Sequence, residues 1–203
     1  MNKWFKDTAQ SLVLIRDSLP RTPETDLLDD VVRHFESLAK DDEKVAALQA
    51  IGESAARCLA DMVAALEVDY DRLEELNDMD LGDGKLSHDD AVLRDERIAL
   101  QEHAGDCTSR EDAEQRINED PLSLQVRNGW HNPGELGEPE EFEILLSTGG
   151  PATRIIGELD QHNQPCRARL QAQDWFTQWT DYRGDAISQD QLLAYCSVFY
   201  FGE

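Results

Sequence analysis

Between Asp69 and Asp90 the chain places nine carboxylates, Asp69, Asp71, Glu74, Glu75, Asp78, Asp80, Asp83, Asp89 and Asp90, against two bases, Arg72 and Lys85. Acids at that density suit two kinds of chemistry. They can hold a hard cation through oxygen ligands, or they can offer a row of negative charge to a basic partner. Side chains on successive turns of a helix stand about 5 Å apart along one face, comparable with phosphate spacing along a nucleic acid. A helix carrying these acids would therefore imitate a row of phosphates. The plainer reading is a solvated helix face followed by a loop, which charge runs commonly are.

The cation reading rests on Gly82-Asp83-Gly84-Lys85-Leu86-Ser87-His88-Asp89-Asp90, which looks like the second half of an EF-hand calcium loop between two helices. That register puts Met79 and Leu81 where carboxylates are required, leaves Asp78 and Asp80 one residue out of step, and supplies Asp90 in place of a bidentate Glu. A Gly-Asp-Gly turn joining two helices accounts for it as well. We expect no bound metal and no cofactor, with a calcium-binding helix-loop-helix as the weaker alternative.

Nothing else in the chain carries a reaction. The five histidines form no His-x-x-x-His pair, and no Ser or Cys stands in a nucleophile elbow. Gly149-Gly150 is followed by Pro151 rather than by the Lys-Ser/Thr of a phosphate loop. The expectation is a protein without catalytic residues, not an enzyme. Trp130, Trp175 and Trp179 could stack on bases, but in so acidic a chain they fit a core or a protein interface better, and Trp130 and Trp179 are candidate partner contacts.

The charge narrows the partners. Forty-three acidic against 19 basic residues give −24 over 203 residues. Residues 1–120 hold 31 acidic and 14 basic residues, net −17, and residues 121–203 hold 12 and 5, net −7. Such a surface repels nucleic acid and anionic membranes and attracts a basic protein, in particular one that binds nucleic acid. The apolar run near the start is too short for a signal peptide and has Asp7 and Arg16 around it. No segment approaches a membrane span. Cys58, Cys107, Cys166 and Cys196 are widely spaced with no Cys-x-x-Cys, which suits reduced thiols in the cytoplasm.

The elements that must position these residues follow from periodicity. Trp4, Phe5, Ala9, Leu12, Ile15 and Leu19 make a helical stripe ended by Pro20. Thr22-Pro23 opens a second helix to about Lys40. Asp41 is expected to cap a third, long helix from Val45 to Leu76, bent near Val68-Asp69. Ser87 and Asp90 open a helix ended by Gly105, and Thr108 and Glu111 open a shorter one ended by Asp120-Pro121. Four strands follow, from Leu122, from Phe142, around Ile155 and from Arg167, with turns at Gly149-Gly150-Pro151 and Asp160–Pro165. Ser188 and Gln191 cap a last helix, Gln189 to about Tyr200. The expected fold is α+β: an N-terminal helical bundle over 1–120, then a four-stranded antiparallel meander closed by a C-terminal helix over 121–203.

The wording FEILLSTGGPATRIIGELDQHNQPCRARLQAQDW, with LLAYCSVFYFGE near the end, resembles the C-terminal portion of small uncharacterised proteins of bacterial prophages and mobile elements. The resemblance implies a setting rather than a site, because it carries no assigned residues. Acidic proteins of mobile elements without catalytic motifs are often similar to inhibitors of host defence, of the anti-restriction or anti-CRISPR kind. The expectation is thus a non-enzymatic inhibitor that puts its helical carboxylates into a basic groove. Its alternative is a structural or regulatory module binding through a C-terminal aromatic surface.

Overall fold

The computed structural model describes residues 2–19, 23–79, 88–134 and 137–202. Among these residues there are six helices and five strands: α1 (Asn2–Asp17), α2 (Pro23–Leu66), α3 (Tyr70–Asp78), α4 (His88–Ala104), α5 (Arg110–Glu119), β1 (Ser123–Asn128), β2 (Pro139–Ser147), β3 (Ala152–Leu159), β4 (Pro165–Gln173), β5 (Thr180–Asp181) and α6 (Gln189–Cys196). The chain divides into two compact units, Met1–Ala50 and Ile51–Glu203.

The expected break at Lys40-Asp41 is absent, and α2 runs 44 residues without interruption. Lys40-Asp41-Asp42-Glu43-Lys44 holds neither Gly nor Pro, and Asp41 pairs with Lys44 one turn on at 3.6 Å. Asp41 was a cap by residue type only, and an Asp inside a helix costs only a few tenths of a kcal/mol. The expected bend near Val68-Asp69 is instead a full break. Asp69 leaves helical geometry and accepts the Arg72 backbone N–H at 2.9 Å, capping α3. The cap residues proposed at Thr22 and Ser87, and the stop at Pro20, lie outside the described residues. Gly105 ends α4 at a φ of 58°, where only Gly is free of penalty. The α5 cap falls one residue later than expected: Ser109 Oγ accepts from the Asp112 N–H at 3.1 Å, while Thr108 donates to the Asp112 carboxylate.

The sheet is an antiparallel meander in the order β1-β2-β3-β4-β5, five strands rather than four. The added strand, β5, is two residues long and exists through its pairing of Thr180 and Asp181 with Ala172 and Gln171 of β4. Alternation sends Phe142, Ile144, Ile155, Ala168 and Leu170 to one face, where the C-terminal half of α2 (Leu59, Met62, Val63), α5 (Ala113, Ile117) and α6 (Leu192, Tyr195) cover them. Each of Leu59, Ile117, Ile144 and Ile155 is at most 1% exposed, and burying such a side chain contributes about 1.5–3 kcal/mol. Gly52 of α2 is placed for closeness: a Cβ there would stand 2.8 Å from the Tyr182 ring, so only Gly lets the tyrosine lie against the helix. The α6 cap is as expected, a reciprocal box between Ser188 and Gln191, but the helix stops at Cys196.

The other face of the sheet is polar and self-neutralising. Across four strands the register sets Arg127, Glu141, Glu158 and Arg167 in one row. Arg127 pairs with Glu141 and Arg167 with Glu158, while Arg154 pairs with Glu143 and Arg169 with Asp181. Four arginines thus meet four carboxylates. Most of the positive charge of residues 121–203 is spent inside this ladder and offsets nothing on the helices.

Candidate functional site

The acids of α3 divide by face. Leu73 and Leu76 are buried, and Asp71, Glu74, Glu75 and Asp78 are all exposed at spacings of three and four, which puts them along one side of the helix. Asp69 is exposed but spends one oxygen on the helix cap. Asp89 is exposed in the first turn of α4, and Asp90 is half-buried there. Asp80 and Asp83 lie outside the described residues, as does most of the Gly-Asp-Gly loop on which the calcium reading depends.

Arg72 organises this corner. Its guanidinium bridges to Glu96 of α4 through two bonds, 2.9 and 3.1 Å, and to Glu75 at 3.0 Å. The paired guanidinium holds the Glu96 carboxyl below the ordinary carboxylate range, and both acids raise Arg72 in turn. Glu75, expected to be a free charge, is therefore partly neutralised by its own chain. Asp71, Glu74, Asp78 and Asp89 form no ion pair among the described residues.

That arrangement does little for the fold. Asp71 and Glu75, and Glu74 and Asp78, stand at i,i+4, where like charges repel. Asp78 also closes a helix that has no base in its last turn, at the end where the dipole disfavours an anion.

The two tryptophans separate. Trp130, just after β1, is 106% exposed. Trp179 is half-buried with the Arg154 guanidinium 4.3 Å above its ring, so its face is already occupied. A second exposed aromatic feature is built on Trp175, named above only together with Trp130 and Trp179, and on Phe176. Asp174 and Thr177 close a tight turn in which the Thr177 N–H donates to Asp174 O at 3.0 Å and the Trp175 N–H to Asp174 Oδ1 at 2.8 Å. The turn displays Trp175, whose indole lies against Gly150, and Phe176, which is 103% exposed at a φ of 63°. A bulky residue at positive φ is an outlier. The signal available in the sequence was the Asp-Trp-Phe-Thr bracket, two polar turn residues around two aromatics.

Two of the four thiols, Cys58 and Cys196, are held away from the thiolate form. Burial pushes the Cys196 thiol up to about 12 and, with Asp120 and Asp61 nearby, raises Cys58 as well. Among the described residues no three His, Cys, Asp or Glu side chains cluster as metal ligands would, and no helix is long and apolar enough to cross a membrane.

The chain matches no protein-family model, and comparison with curated proteins and with solved structures returns no match.

Proposed function

We propose that the protein is a non-enzymatic binding protein whose exposed α3 carboxylates, together with Asp89 of α4, enter a basic nucleic-acid-binding groove of a partner and occupy it in place of nucleic acid. The setting that fits is inhibition of a host defence complex by a phage or mobile element. One observation carries this reading: Asp71, Glu74 and Asp78 stand exposed on one helix face without an ion-pair partner among the described residues, spaced where like charges weaken the helix. Charge kept at a cost to its own helix suits a partner that supplies the opposite sign.

The second reading, an aromatic docking surface, is favoured by the Trp175-Phe176 turn and by Trp130. The two are separated by capture from a bacterial lysate on the immobilised chain, followed by elution. Nucleic-acid-binding proteins released by duplex DNA and by added salt support the acidic face. Partners that resist both and are lost on changing Trp175 support the aromatic one.

A further inference from the structure

Met1–Ala50 contains two helices, α1 and the first part of α2, and it leaves a long apolar seam in water. The two helices already share one stripe, in which Ala9, Val32 and Ala39 are buried. Beside it, α2 carries Leu27, Val31, His34, Leu38, Asp41 and Val45, alternating by four and three residues, the spacing of a coiled-coil seam. On α1 and just past its end, Trp4, Ile15 and Leu19 fall on the matching side, and the Trp4 ring lies 5.9 Å from that of Phe35. The opposite side of the pair is a groove in which Val13 and Leu14 sit among Lys6, Glu36, Lys40 and Glu43, so its apolar side chains are interleaved with charge.

Leu27 is 66% exposed, Trp4 59%, and Ile15 and Val45 51% each. With Leu19 and Val31 they expose on the order of 650 Å², against the roughly 800 Å² per partner of a standard interface. Charge selects the occupant. Met1–Ala50 holds 10 acidic and 7 basic residues, net −3, leaving 33 and 12, net −21, in Ile51–Glu203. A basic partner is drawn to the second unit, not to this seam. The seam is where one copy of so acidic a chain meets another with least repulsion.

We infer that the seam of Leu27, Val31, Leu38 and Val45, flanked by Trp4, Ile15 and Leu19, docks a second copy of the chain, closing two helix pairs into a four-helix bundle. Asp41 disfavours a parallel mate, which would bring the two carboxylates together, so the α2 helices run antiparallel across the interface. The inference stands whether or not the acidic face meets a nucleic-acid-binding partner.

Sedimentation equilibrium of the full chain tests it. The expected result is a dimer whose dissociation constant falls severalfold as sodium chloride rises from about 0.05 to 0.5 M, because screening removes the repulsion between two chains of −24. Leu27→Glu combined with Val45→Glu should give a monomer with unchanged helical circular dichroism. Leu14→Glu, 73% exposed on the groove side, should remain dimeric. If the double variant does not fold, Ile15→Ser serves in its place and should weaken the dimer. A chain that stays monomeric at every salt concentration, or a folded seam variant that still dimerises, overturns the inference.

Discussion

The phenol of Tyr195, on α6, donates to Asp120 Oδ2 at 2.6 Å, tying the last helix of the chain to the residue that ends α5. Tyr195 is fully buried, and burial together with this bond raises its pKa well above the ordinary phenol range. The bond closes a 75-residue separation over the core. Tyr195→Phe keeps the ring and leaves the carboxylate without its donor, so stability should fall by about 1–3 kcal/mol. Asp120→Asn keeps an acceptor and should cost less. Urea melts of the two variants check the order, and a Tyr195→Phe variant as stable as the natural chain would mean that the ring alone matters.

Acid should unfold the protein through a small set of carboxylates. Glu53 is lowered by the Tyr182 phenol and then Arg57, Glu96 by Arg72, Asp112 by Thr108, and Asp160 by the backbone N–H groups of Gln164 and His162. A folded-state pKa below the unfolded one contributes stability that is complete above the unfolded value and is lost as pH falls through the folded value. The melting temperature should therefore drop between about pH 5 and about pH 3, and the slope should be shallower in Glu53→Gln with Glu96→Gln. An identical slope in the variant would assign acid unfolding to other groups.

Changing Asp71, Glu74, Glu75 and Asp78 together to Asn or Gln should slow association with a partner captured from lysate and leave the melting temperature unchanged or higher, since exposed charges act mainly on encounter rate. Among single changes, Glu75→Gln should matter least, because Arg72 already neutralises part of its charge. Association rates by surface plasmon resonance at two salt concentrations decide it. Rates equal to those of the natural chain would remove the acidic face from the interaction.

Phe176→Asn should stabilise the fold by up to about 1 kcal/mol, because Asn tolerates the left-handed region that costs Phe roughly 1–2 kcal/mol, and a side chain 103% exposed loses no burial. The same substitution should leave binding through α3 intact. Binding lost in a variant that melts higher would transfer the function to the Trp175-Phe176 turn.

Much of the fold was written locally. The two hairpin turns, the Ser188-Gln191 box and the Gly105 stop depend on a few neighbouring residues whose backbone preferences agree, so the meander and α6 could be read before any contact was known. The acids Asp71, Glu74 and Glu75 were legible as helical for the same reason, while Asp78, past the expected helix end at Leu76, falls in the last turn of α3. The tertiary structure decided everything that required a distant partner. Thr180 and Asp181 are a strand only because β4 lies beside them, and α2 runs through Asp41 because cap propensity alone is weak. Trp179 is closed off by Arg154, a residue 25 positions away, while Trp175 and Phe176 are held out by a turn whose bonds come from Asp174 and Thr177. Glu75 loses its freedom because the Arg72 that binds it is fixed by Glu96 on another helix. Composition and spacing say how much charge a segment carries. Which of those charges still faces a partner depends on the side chains that folding brings within about 4 Å, where opposite charges pair.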